Sequence, residues 1–149
     1  MLAPRKHQRG YTLAEVILVL TAFSILTIIF VPLQSKAIQH IETKQYIAQF
    51  KEDVLLAQQL TMTDHPSYWL MIRPAQKDYY LYDYQQKKTI FHREFPPYWK
   101  LNLQSLTTPV RFNSQGTLRN PGTMRISSPH TAYKITFPFG KSRVTINEQ

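Results

Sequence analysis

Glu15 is the residue whose surroundings most demand a chemical explanation. It stands four residues into a stretch of 23, YTLAEVILVLTAFSILTIIFVPL, that carries no other charge between Tyr11 and Leu33. An ionised carboxylate in hydrocarbon is expensive unless it is paired. Arg9 and Lys6 lie upstream, but they could snorkel to a membrane surface equally well without it. A cut between Gly10 and Tyr11 changes the chemistry. It creates an α-amine at Tyr11, one helical turn from the carboxylate of Glu15. In an assembly, the Glu15 of one copy could meet the Tyr11 amine of the next.

Other chemistry is sparse. The five histidines, at 7, 40, 65, 92 and 130, show no H-x3-H or carboxylate spacing that would hold a metal. There is no cysteine, hence no disulfide, no thiolate nucleophile and no cysteine-ligated metal. No glycine-rich phosphate loop and no G-x-S-x-G elbow occur. The reading is of a chain with no catalytic residue, no metal and no cofactor. One aromatic and basic stretch remains, Tyr79-Tyr80-Leu81-Tyr82-Asp83-Tyr84 followed by Lys87-Lys88. Tyr82, Tyr84, Lys87 and Lys88 form a candidate DNA contact, since rings stack on bases and lysines bind phosphates. The competing reading is a strand with half-buried tyrosines on both faces and a solvated lysine turn.

The elements that must position these residues follow from hydropathy. The apolar run from Tyr11 to Leu33 is long enough for a helix across a hydrocarbon core of about 30 Å. The basic residues before it predict an N-in orientation. A secretory signal is disfavoured by the absence of a small-residue cleavage site after the run. A plain signal anchor fits the length but leaves Glu15 unexplained. The next stretch, to Thr63, lacks glycine and proline, and Ile47, Phe50, Val54, Ala57 and Leu60 recur at helical spacing. Lys44, Lys51, Glu52 and Gln59 fall opposite. Asp64-His65-Pro66 supplies the stop, so one helix is expected from Tyr11 to Thr63. Beyond it the chain reads as short strands: 68–72, 79–84, 89–95, 99–103, 110–112, 124–126, 133–137 and 143–146. Turn signals between them predict an antiparallel sheet, with the amphipathic half of the helix covering its apolar face. Gly116, Gly122 and Gly140 are expected in turns that need positive φ.

Charge follows the same division. The net charge of +9 comprises +3 in residues 1–10 and +8 in residues 65–149, with the helix slightly acidic. A basic total suggests nucleic acid, but a third of it lies in the N-terminal ten residues. The expected organisation is 1–10 as a cleaved leader, 11–33 as a transmembrane and assembly helix, 34–64 as its amphipathic continuation, and 65–149 as a β head.

RGYTLAEVILVL resembles the class III leader of type IV pilins and pseudopilins. The resemblance implies cleavage after Gly10 by a prepilin peptidase, N-methylation of Tyr11, and a role for Glu15 in setting subunit register. Tyr11 stands where phenylalanine is commoner in that family. Pro32 matches the position of a helix-kinking proline in many pilins. Downstream, Arg111 to Gly116, Gly122 to Ile126, Tyr133 to Thr136 and Gly140 to Ile146 resemble the GspH/FimT-like minor pseudopilins. They look most like the ComGD-type minor pilins of Gram-positive competence systems. The loop at Lys141-Ser142 lacks a second glycine usual there.

The resemblance implies an α+β, type IV pilin-like fold, a long N-terminal helix packed on an antiparallel sheet. It implies a minor pilin that helps initiate or cap a competence pilus for DNA uptake in transformation. Expected partners are other minor pilins, the major pilin, the prepilin peptidase, the cytoplasmic membrane and DNA. Expected location is the cytoplasmic membrane, single-pass with the N-terminus inside, and then the surface pilus. A DNA-binding module displayed on the pilus and a type II secretion pseudopilin remain as alternatives.

Overall fold

The computed structural model describes residues 11–129, 131–140 and 143–149, and for residues 29–39 the backbone alone. The chain divides into two compact units, Met1–Glu42 and Thr43–Gln149. Helix α1, Leu13–Thr63, contributes to both.

In the first unit the described side chains, 11–28 and 40–42, are all exposed. The three hydroxyl residues between Val16 and Ile28 need no outside partner. The hydroxyls of Thr21, Ser24 and Thr27 donate to the carbonyls of Leu18, Leu20 and Phe23 at 2.9, 2.8 and 2.9 Å. Back-bonding of this kind satisfies a hydroxyl within its own helix. Among the described residues no helix is long and apolar enough to cross a membrane. The apolar run in the sequence continues to Leu33, beyond the last described side chain of that stretch.

The second unit is α+β, as expected. Its strands are β1 Tyr68–Arg73, β2 Asp78–Asp83, β3 Lys88–Glu94, β4 Lys100–Asn102, β5 Val110–Arg111, β6 Gly122–Ser127, β7 Ala132–Phe137 and β8 Thr145–Glu148. They form two four-stranded sheets rather than the one expected, ordered β3-β2-β1-β5 and β4-β6-β7-β8. All pairings between these strands are antiparallel. The break lies after β3, where Pro96-Pro97 removes two backbone donors. The chain then returns in β4 to pair with β6, not with β3. Periodicity identifies a strand, but it carries no information about which neighbour the strand will choose.

Both sheets and the helix share one core. Ile47, Phe50, Val54 and Ala57 of α1 are buried with Leu70, Ile72, Tyr79 and Leu81 of the first sheet. Met124, Ile126, Tyr133, Ile135 and Phe137 of the second join them. The ring of Phe50 meets Tyr79 edge-on, with centroids 5.0 Å apart, a preferred aromatic geometry. Lys44, Lys51, Glu52 and Gln59 are exposed, as the helical spacing required. Gly122 corrects an expectation. It opens β6 without the left-handed φ of Gly116 and Gly140, +75° and +79°. Its reason is close approach, since a Cβ there would lie 2.6 Å from the Leu106 Cα.

Candidate functional site

The N-terminal candidate begins with a cap. The Glu15 N–H donates to Thr12 Oγ1 at 3.3 Å, and the Val16 N–H to the Thr12 carbonyl at 3.2 Å. Thr12 is thus the N-cap residue, and Thr12-Leu13-Ala14-Glu15 has the spacing of a capping box. That S/T-x-x-E signal is legible in the sequence itself. Only half of the box forms. Among the described residues the Glu15 carboxylate has no hydrogen bond and no ion pair. It sits in the first turn, where a negative charge is favoured by the helix dipole. Tyr11 is 84% exposed beside it. Gly10 lies outside the described residues. Pro32 falls within α1, which is continuous through it; its side chain is not among those described.

A second constellation was not anticipated. Asp53 projects from α1 into the head and is buried. The Tyr79 hydroxyl donates to its Oδ2 at 2.8 Å and Gln49 Nε2 to its Oδ1 at 2.9 Å. Arg93 Nε approaches Oδ2 at 3.3 Å. Burial and the Asp53 carboxylate hold the Tyr79 hydroxyl protonated well above the ordinary tyrosine range. The bond to Asp53 likewise raises Arg93. A buried carboxylate with these partners fixes where the helix meets β2 and β3. On the helix Asp53 adjoins the apolar Val54, so spacing alone gave it no distinct role.

The aromatic and basic stretch is partly brought together. In β2, Tyr79 and Leu81 face the core, while Tyr80 and Tyr82 are half-buried on the other face. Tyr84 follows just past β2. Tyr82 and Tyr84 meet edge-on at 4.8 Å, and Tyr84 lies against Trp69 of β1 at 3.9 Å. Lys87 and Lys88 are exposed, one in the turn with φ +53° and one at the start of β3. The buried Asp83 shapes that turn, accepting the N–H groups of Gln85 and Gln86 at 2.8 and 3.1 Å. The cations that do touch the aromatic face were not anticipated. Arg111 of β5 stacks over Trp69 at 5.0 Å and Arg73 of β1 over Tyr80 at 4.8 Å. Arg73 also binds Asp78 with two nitrogens, and His92 Nε2 lies 2.8 Å from the same carboxylate. Chiefly through Arg73, and despite burial, the Asp78 carboxyl is held below the ordinary carboxylate range. The pairing register places these residues on one face: Trp69 opposite both Tyr82 and Arg111, and His92 opposite Tyr80. Among the described residues no three histidine or acidic groups cluster in a way that could hold a metal.

Comparison with known proteins adds two likenesses. Residues 5–31 match the family described as the prokaryotic N-terminal methylation motif. The chain is also 25% identical over 143 residues to the competence protein ComGD of Bacillus subtilis (strain 168), covering 96% of each chain. No solved structure matches it significantly.

Proposed function

We infer that this chain is a ComGD-type minor pilin of a competence type IV pilus, helping to initiate or cap the filament for DNA uptake. One observation carries the reading: the methylation motif at residues 5–31 heads a chain that resembles ComGD along nearly its whole length. The α+β, pilin-like architecture is consistent with it.

The proposed organisation assigns residues 1–10 to a leader and 11–33 to insertion and assembly. It makes 34–64 the helix continuation and 65–149 the displayed head. A prepilin peptidase cuts after Gly10 and Tyr11 receives the N-methyl group. The chain crosses the cytoplasmic membrane once, N-terminus inside, before it enters the pilus. The exposed apolar side chains of the first unit support this reading. Val16, Leu18, Val19, Leu20, Phe23 and Ile25 are 45–69% exposed. Covering such surface is worth about 25 cal/mol per Å², and lipid and then neighbouring pilin helices are the proposed cover. Pro32 is the proposed kink that fits the helix into the filament.

Glu15 sets axial register by pairing with the Tyr11 amine of a neighbour. Its carboxylate is unpaired among the described residues, and an amine brought beside it would offset the cost of holding a lone carboxylate away from water. Partners are the major pilin, other minor pilins and the peptidase. The mechanism is assembly, with no covalent catalysis by this chain.

Glu15→Ala is the test. The variant should be processed to normal mature mass yet assemble poorly, with transformation falling steeply. Normal pilus assembly and transformation would overturn the reading.

A further inference from the structure

The outward face of the first sheet carries aromatic residues that the core does not use. Leu70, Ile72, Tyr79 and Leu81 already cover the inner face. Tyr80 and Tyr82 nevertheless stand half-buried on the outer one, with Tyr84 just past β2. A sheet face turned to solvent ordinarily carries polar residues. Here it holds an open groove of about 480 Å³, within the size range of small-ligand sites. Arg73, Tyr80, Tyr82, Tyr84, Thr89 and His92 are among its walls.

These walls narrow the chemistry of an occupant. An organic cation is disfavoured, because Arg73 already lies over the Tyr80 ring, 4.8 Å from its centroid. An anion is disfavoured as well. The two wall residues that can carry positive charge, Arg73 and His92, are both turned onto Asp78. A purely apolar occupant would strand polar groups. Among the described residues the hydroxyls of Tyr80, Tyr82, Tyr84 and Thr89 make no hydrogen bond. The Arg73 guanidinium also keeps N–H donors beyond those spent on Asp78. What fits is an uncharged ligand with flat apolar faces edged by hydroxyls. A pyranose ring has that form, since its axial C–H groups make apolar faces and its equatorial hydroxyls leave from the edge. The tyrosines are built as a platform for such rings. Tyr84 is 47% exposed, yet it is held against Trp69 at 3.9 Å and Tyr82 at 4.8 Å, so little order has to be imposed on it at binding.

We propose that this groove binds an uncharged polysaccharide strand, with sugar rings stacked on Tyr82 and Tyr84 and their hydroxyls bonded to Arg73, Thr89 and the tyrosine hydroxyls. Aromatic rings with a polar tip suit a ligand that is apolar on its faces and wet at its edge. β-Linked pyranoses fit best, because all-equatorial hydroxyls leave both ring faces apolar. The site goes beyond the minor-pilin reading and stands or falls separately from it. On that reading the head lies outside the membrane, where glycan strands form the bacterial wall.

The test titrates the full-length chain, in a zwitterionic detergent free of sugar, with chitohexaose and with cellohexaose, and uses oligothymidylate as a polyanion probe. At least one hexasaccharide should bind, and added salt should leave its affinity unchanged, whereas binding through phosphates falls steeply with salt. Tyr84→Ala should weaken sugar binding about tenfold through loss of one stacking face. Tyr84→Phe, which keeps the ring, should weaken it less. Each variant is checked by thermal unfolding; if Tyr84→Ala fails to fold, Tyr84→Leu, with apolar bulk but no flat face, carries the decision. No binding of either sugar, or unchanged affinity in the folded Tyr84→Ala or Tyr84→Leu chain, would overturn the site. Oligothymidylate bound more tightly than both sugars would also overturn it and mark a polyanion groove instead.

Discussion

One helix carries two sets of apolar residues with opposite fates. From Val16 to Ile28 every described side chain is exposed, whereas Ile47, Phe50, Val54 and Ala57 are buried. The difference lies in pattern. In the first stretch apolar residues surround the helix and no polar face tells it which way to turn. In the second they fall on one stripe, with Lys44, Lys51, Glu52 and Gln59 opposite. A stripe can be buried by one sheet of its own chain. A helix that is apolar on all sides needs cover on all sides. The second stretch is thus covered within its own unit, while the described side chains of the first are left exposed.

Phe50→Ala gives the largest effect this comparison predicts. Phe50 is fully buried against Tyr79 and Phe95, and its removal leaves a cavity as well as lost transfer energy. The expected cost is about 3–5 kcal/mol. Denaturant unfolding followed by fluorescence of Trp99, buried near Phe95, would measure it. A cost below about 1 kcal/mol would show that the stripe is not what fastens this half of the helix.

The polar part of that fastening comes next in size. Asp53→Ala leaves the Tyr79 hydroxyl buried without its acceptor, while Arg93, half-exposed, can return to water. The expected loss is about 1–3 kcal/mol. The pair also predicts a pH effect with a definite sign. The Tyr79 hydroxyl is raised above its ordinary value of 10.0 in the folded state. Its contribution is therefore full below that value and is lost as pH rises through it toward the folded value. Stability should decline above pH 10.0, and less steeply in Tyr79→Phe. Equal slopes in the two proteins would remove Tyr79 from the account.

How far the residues announced these features depends on the distance over which each is specified. The helix stripe and the strands are local, carried by periods of 3.6 and 2, and their bounds fell within a few residues of those observed. Strand partners are not local. Nothing in Lys100–Asn102 says that it will pair with β6, so two sheets were read as one. The same limit governed the sites. Glu15 was conspicuous because a single charge among apolar neighbours is a local contrast. Thr12 is equally local, but one hydroxyl among several in an apolar run makes a weaker contrast than a charge. Arg111 and Trp69 lie 42 positions apart and meet only through the β1–β5 register, so their stacking had no signature in the chain. Asp53 depends on Tyr79 and Arg93 in the same way.

Phe23→Ala is the smallest predicted effect and the sharpest test of the comparison, because it repeats the Phe50 substitution elsewhere on the same helix. Phe23 is 69% exposed. Little of its ring is buried, and alanine keeps the helix propensity. Unfolding of the head should shift by no more than about 0.5 kcal/mol. If the first stretch is covered by neighbouring subunits, the same variant should still weaken incorporation into pili, since the lost area is lost between molecules. A head destabilised as much as by Phe50→Ala would mean that the first stretch folds back on its own chain. Unchanged head and unchanged assembly together would mean that position 23 faces lipid or solvent throughout, and would narrow the assembly face to the remaining apolar positions around Glu15.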